Sequence, residues 1–119
     1  MASNRIGVYA ILNTVNKKVF IGTGELQKRK ATNWSLLNAG KHYNISLQKE
    51  WTMFGQSNFK FITMFECKDI EDHSFLSQCE TYWISITMAT NKKYGYNIYK
   101  KVAENNGYIA RIEPLETAA

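Results

Sequence analysis

Glu80 is the residue that most needs a chemical explanation. It lies four positions after Leu76, three before Trp83 and four before Ile84, in a stretch whose apolar residues recur at helical spacing. Its carboxylate therefore points along or beside an apolar stripe, where an unpaired charge is expensive. Two roles suit it. One is a glutamate at the stripe's edge that reaches water or a lysine. The other is a metal ligand, because one carboxylate with waters and substrate phosphate oxygens is the usual way Mg²⁺ is held in phosphoryl-transfer sites. A second stretch also bears on phosphate. Lys92 to Lys101 interleaves Lys92, Lys93, Lys100 and Lys101 with Tyr94, Tyr96 and Tyr99, the composition of a surface that meets nucleic-acid backbone. Its alternative is a solvated loop capping a sheet.

These groups need elements to position them, and the clearest runs from Gly7 to Gly22. Val8, Ala10 and Leu12 alternate with Tyr9 and Ile11, Asn13 to Lys17 makes a polar turn, and Lys18 to Gly22 returns as a second strand. This predicts a β-hairpin with Tyr9 and Phe20 as near neighbours. Gly22-Thr23-Gly24 is expected to break the second strand and open a helix from about Glu25 to Asn38, ended by Gly40. Arg29 and Asn33, four apart, share a face of it. A loop with Lys41, His42 and Tyr43 leads to a second helix, about Ile45 to Phe54, stopped by Gly55. Asn58 to Phe65 alternates as a third strand with Phe59, Phe61, Thr63 and Phe65 on one side. An acidic turn, Lys68 to Asp72, precedes a third helix from about Ser74 to Met88, with Leu76, Cys79, Trp83 and Ile84 or Ile86 inward. Trp34, Trp51 and Trp83 read as core. Beyond Ala103 the pattern fades, so we expect a domain over 1–103 and a tail over 104–119.

The chain has 119 residues, enough for one core without staples, and 45% hydrophobic residues with a single proline describe an ordinary folded protein. Cys67 and Cys79 have no metal-type spacing and read as reduced, buried thiols of a cytoplasmic protein. No apolar run approaches a membrane span. The net charge of +5 is compatible with a polyanionic partner.

Read together, these pieces resemble the GIY-YIG nuclease family, and most of all the catalytic modules of phage-type homing endonucleases. The resemblance rests on Gly7-Val8-Tyr9, ten residues, Phe20-Ile21-Gly22, then Arg29, Glu80 and Gly95-Tyr96-Asn97, with His42-Tyr43-Asn44, Leu47-Gln48, Trp51, Gly55, Phe59 and Phe61 between. It covers about Ile6 to Ile98. It implies an α+β fold, a small three-stranded antiparallel sheet flanked by helices, and a DNA endonuclease. In such a chain Tyr9 lies beside the attacking water as general base, and Arg29 clamps the scissile phosphate. Glu80 holds one Mg²⁺ or Mn²⁺ that stabilises the leaving 3′ oxygen, and Asn97 supports the site. Lys18 and His42 match positions often basic in relatives and are expected at phosphate. The cytoplasm, or a host cell's cytoplasm for a phage-encoded chain, is the expected location.

The set is chemically coherent. Phosphodiester hydrolysis needs an oriented water, neutralised phosphoryl charge and help for a poor leaving group. The arginine fork matches two phosphate oxygens and stays charged, and a carboxylate-bound metal serves the leaving oxygen. A tyrosine base, with a free pKa near 10, needs cations to depress it, which casts Arg29, Lys18 and the metal as its partners. Two residues depart from the family pattern. Phe20 stands where the second motif has tyrosine, and losing one such hydroxyl costs on the order of 10²-fold in rate. Asn33 stands where relatives often have histidine. The alternative reading is accordingly a GIY-YIG-derived module that binds nucleic acid or inhibits a protein without cutting. The two separate on geometry: an enzyme needs Tyr9, Arg29 and Glu80 around one open cleft. With one site per chain, a double-strand break takes two nicks or two chains, and specificity takes a homodimer or a partner DNA-binding module.

Overall fold

The computed structural model describes residues 5–68, 73–103 and 109–114, with side chains over 5–66 and 75–98. Its centre is an antiparallel three-stranded sheet of order β2-β1-β3, made by β1 (Arg5–Asn13), β2 (Val19–Glu25) and β3 (Phe59–Lys68). Helices α1 (Leu26–Ala39) and α2 (Ile45–Phe54) connect β2 to β3, and α3 (His73–Thr87) follows. The expected α+β architecture and element order are thus present.

The hairpin forms because Asn13 and Asn16 bend it locally. The Asn13 Oδ1 accepts from Val15 N at 2.9 Å and the Asn16 Oδ1 from Lys18 N at 3.1 Å. With β1 in the middle, its alternating side chains are buried on both faces. Tyr9, Ile11 and Phe20 pack with Leu26 and Leu37 of α1 and Leu47 and Trp51 of α2. Val8, Ala10 and Ile21 pack with Leu76 and Ile84 of α3, while Ile86 is exposed. Helices α1 and α2 each start and stop on a recognisable cap. Asn44 accepts from Leu47 N at the head of α2, and Gly40 closes α1 at φ 74°.

Two expectations are corrected. Gly22-Thr23-Gly24 does not break β2, because pairing with β1 continues through Val8 with Thr23, Gly7 with Gly24 and Ile6 with Glu25. Glu25 then caps α1. Phe65 does not share a face with Phe59 and Phe61. The β1–β3 register slips between Val8 and Tyr9, and this bulge turns Phe65 onto the α3 side. Beyond Ala103, where the pattern fades, the chain adds β5 (Ile109–Pro114), which pairs antiparallel with β4 (Tyr99–Ala103) as a second small sheet. The acidic turn's residues 69–72 and the tail's residues 104–108 and 115–119 lie outside the described residues. Among the described residues no helix is long and apolar enough to cross a membrane.

Candidate active site

The outer edge of β2 is covered along half its length. Val19 N and O bond Tyr94 O and Tyr96 N, at 3.1 and 2.8 Å. The Asn97 side chain then repeats the pattern: its Oδ1 accepts from Ile21 N at 2.8 Å and its Nδ2 donates to Ile21 O at 3.0 Å. Past Ile21 the edge opens into a cavity of about 530 Å³, lined by Tyr9, Phe20, Gly22, Thr23, Arg29, Tyr43, Glu80 and Asn97 among others.

Two glycines let opposite faces of the sheet meet there. Tyr9 projects on the α1 side, and its ring lies across Gly22, directly opposite it in register. Two residues on, the Arg29 side chain lies across Gly24, whose φ of +142° suits only glycine. Thr23, between them, faces the other way, with its hydroxyl 3.5 Å from Glu80 Oε1 on α3. Arg29 is exposed, whereas Tyr9 and Glu80 are buried. Burial pushes the Tyr9 hydroxyl up to about 12, against the opposing Asn33 hydrogen bond and Arg29 charge. Desolvation thus outweighs the charge of Arg29, one of the cations expected to depress Tyr9. Glu80 is the single carboxylate among the lining residues, and among the described residues no three His, Cys, Asp or Glu side chains cluster. One carboxylate with room for waters and phosphate oxygens fits Mg²⁺ or Mn²⁺, which need no protein cage.

The other expected site residues are placed differently. Lys18 does not join the cavity. It precedes β2, on the α2 side, and its Nζ lies 3.5 Å from Glu50 Oε2. Burial opposes the Glu50 charge, but hydrogen bonds from Tyr96 and Asn16 and the Lys18 charge hold its carboxyl below the usual range. Lys18 and Lys92 line a separate cavity of about 380 Å³ beyond Tyr96 and Asn97. His42 is buried behind the cavity, stacked on Tyr43 at 4.4 Å between ring centroids, and cannot touch phosphate. Asn97 has its amide oxygen and nitrogen both engaged by Ile21, so it builds the edge while lining the cavity. Lys92 and Lys93 are exposed in a turn, and the side chains of Lys100 and Lys101 lie outside the described residues.

No protein-family model matches the chain. Intron-associated endonuclease 1 of Enterobacteria phage T4 is 31% identical over 97 residues, which is 77% of this chain and 36% of that protein. The chain thus spans about a third of that relative's length. A solved alanine variant of the catalytic domain of intron endonuclease I-TevI superposes with a TM-score of 0.72 at 27% identity, covering 82% of this chain and 97% of that one. The structure of the catalytic domain of homing endonuclease I-TevI superposes with a TM-score of 0.68 at 30% identity, over 78% of this chain and 97% of that one. The chain belongs to the GIY-YIG nuclease family.

Reading the GIY-YIG motifs from sequence finds Tyr9, Phe20, Arg29 and Glu80 at the cavity but passes over Thr23 and Tyr43, which line it, and underrates Asn33. Asn33 is noted for sharing a face with Arg29 and for departing from the GIY-YIG pattern, yet it is buried and hydrogen-bonded to Tyr9. The signal was its place one turn after Arg29, a polar residue on the face where Leu26 and Leu37 are buried.

His42 gives this site a pH dependence of stability. Burial pushes its imidazole from the ordinary 6.5 down to about 4. The unfolded chain binds the proton first, so the His42 contribution is complete above about pH 6.5 and is lost as pH falls toward 4. One proton over that window amounts to about 3 kcal/mol. Thermal melts between pH 7 and about 4.5 should fall more steeply for the wild type than for His42→Gln, and parallel curves would contradict the assignment.

Proposed function

We propose that this chain is a DNA endonuclease that hydrolyses phosphodiester bonds with a divalent metal. The observation that carries the reading is the gathering of the Tyr9 hydroxyl, the exposed Arg29 guanidinium and the Glu80 carboxylate around one open cavity. The printed names of the relatives, endonucleases of introns and homing, support it.

In this reading Arg29 holds two oxygens of the scissile phosphate through its planar fork and balances charge as the phosphorus becomes five-coordinate. Tyr9 addresses the same phosphate from the sheet. Glu80, oriented beside the Thr23 hydroxyl, holds the Mg²⁺ or Mn²⁺, which when bound supplies Lewis-acid stabilisation of the leaving oxygen. Water gives its oxygen to phosphorus and a proton to the leaving oxygen as that P–O bond breaks. One such cavity per chain makes a nick the elementary product, and a double-strand break needs a second event, a second chain or a partner module. Lys92 and Lys93 meet phosphates beside the cut strand.

The test is nicking of supercoiled plasmid at low salt with Mg²⁺ or Mn²⁺. The expected result is relaxed circles that vanish on chelation, a loss on the order of 10²- to 10³-fold in Arg29→Ala, and faster nicking in Phe20→Tyr. Salt-sensitive retention of DNA with no cutting by any variant would instead establish the binding-module alternative.

A further inference from the structure

Two aromatic rings meet at the active cavity from different elements. Phe20 of β2 brings a buried, apolar ring, and Tyr43, from the loop between α1 and α2, brings a ring that is 70% exposed. The rings touch edge to face, with centroids 6.1 Å apart and planes at 66°. The other support of Tyr43 is His42, on which it stacks with the planes 23° apart. An exposed loop tyrosine is ordinarily free to turn, but this one stands on a fixed base. His42 Nε2 lies 2.6 Å from Asn33 Oδ1, and its Nδ1 accepts from Asn44 N at 3.0 Å. Asn44 caps α2, and its Nδ2 donates to Tyr96 O at 2.7 Å. The residues on both sides of Tyr43 are therefore buried and anchored, and its ring is held although its surface is open.

The hydroxyl of this ring is the part the fold leaves unused. Tyr9 and Tyr96 bond Asn33 and Glu50 through theirs, whereas among the described residues no group hydrogen-bonds the Tyr43 hydroxyl. It still belongs to the site electrically: desolvation raises its pKa, the Arg29 charge opposes this and the Glu80 charge adds to it. The hydroxyl keeps its proton at neutral pH and is available as a donor. We propose that the Tyr43 hydroxyl donates a hydrogen bond to a non-bridging oxygen of the phosphate held by Arg29, the contact that Phe20, lacking a hydroxyl, does not make. The proposal rests on the nuclease reading and adds a catalytic residue to it; the roles of Tyr9, Arg29 and Glu80 are unchanged. Because the two rings are in contact, a hydroxyl on either reaches the same cavity, and the α1–α2 loop supplies what the second strand lacks. A neutral donor there suits phosphate oxygens, on which charge grows as the phosphorus becomes five-coordinate. The other use of an exposed tyrosine, stacking against a base, needs the ring and not the hydroxyl.

The test is single-turnover nicking of supercoiled plasmid by Tyr43→Phe, Tyr43→Ala and Phe20→Tyr, and by Phe20→Tyr joined to Tyr43→Phe. Tyr43→Phe removes one atom from an exposed side chain, so it should melt with wild type and nick on the order of 10²-fold more slowly. Phe20→Tyr should then accelerate Tyr43→Phe at least about fivefold more than it accelerates wild type, because the second hydroxyl serves the same oxygen. Tyr43→Phe at the wild-type rate overturns the proposal, and a slow Tyr43→Ala beside it would assign the ring to stacking. An equal gain from Phe20→Tyr in both backgrounds overturns it too, since the two hydroxyls would serve different atoms. If the wild type does not nick at all, the nuclease reading fails by itself, and the hydroxyl is judged by binding of a labelled DNA duplex at low salt. Binding by Tyr43→Phe about threefold or more weaker than by wild type supports the phosphate contact, and equal affinity overturns it.

Discussion

Glu80→Gln should give a folded protein whose divalent-ion-supported nicking is lower by on the order of 10³-fold. Glutamine keeps the length of the side chain and an oxygen to face the Thr23 hydroxyl, so the packing of α3 against β2 is preserved. What it removes is the negative charge of the single carboxylate lining the cavity. A hard divalent cation with few protein ligands depends on that charge more than on shape. Two measurements check the claim. Nicking rates titrated with Mn²⁺ should stay low at every ion concentration, and Mn²⁺ should raise the melting temperature of wild type and not of the variant, because only a state that binds the ion is stabilised by it. Nicking within tenfold of wild type would remove Glu80 from the metal role.

A methyl group at position 22 should be nearly as damaging by a different route. In Gly22→Ala the new Cβ runs into the Tyr9 hydroxyl and the ring carbon that bears it. The ring has no retreat, held between Phe61 and Asn33. Overpacking of this kind costs about 1–3 kcal/mol, which for a chain this size lowers the melting temperature by roughly 4 °C for each kcal/mol. Activity should fall further than stability, since a shift of about 1 Å in a positioned group costs on the order of 10²-fold. The double variant Gly22→Ala with Tyr9→Phe isolates the cause. Removing the hydroxyl takes away the first of the colliding atoms while the ring carbons stay, so the double variant should lose less stability than the sum of the two single changes. Additive losses would mean that the clash is taken up elsewhere.

The parts of this molecule that could be read from residues are those where local chemistry decides. The hairpin followed from alternation and an asparagine-rich turn, α1 and α2 from apolar spacing ended by Gly40 and Gly55, and Glu80 from its discord with the stripe around it. What could not be read is sidedness across long separations. Lys18 and His42 were recognised as basic residues near the right motifs, but whether each points at phosphate depends on Glu50 and Asn33, which fold in from α2 and α1. The Phe65 error came from a single extra residue in β3, since one bulge inverts every side chain beyond it. The two-glycine opening was misread as a strand break because glycine often means that. Here it marks close approach by Tyr9 and Arg29, and no local pattern distinguishes the two uses.

The covering of β2 also bears on how the chain avoids sticking to itself. An edge strand presents main-chain donors and acceptors on which a second molecule can add a strand of its own, a common start to aggregation. Val19 and Ile21 turn those groups outward, and Tyr94 O, Tyr96 N and the Asn97 amide occupy them. By alternation the next residue to face out is Thr23, where the cavity begins. Strand addition by another copy would have to start from that one residue, too short a run to hold a foreign strand. At the β2 edge a single asparagine side chain thus works as a stopper on strand addition, and the cavity there can stand open to solvent without becoming a point of self-association.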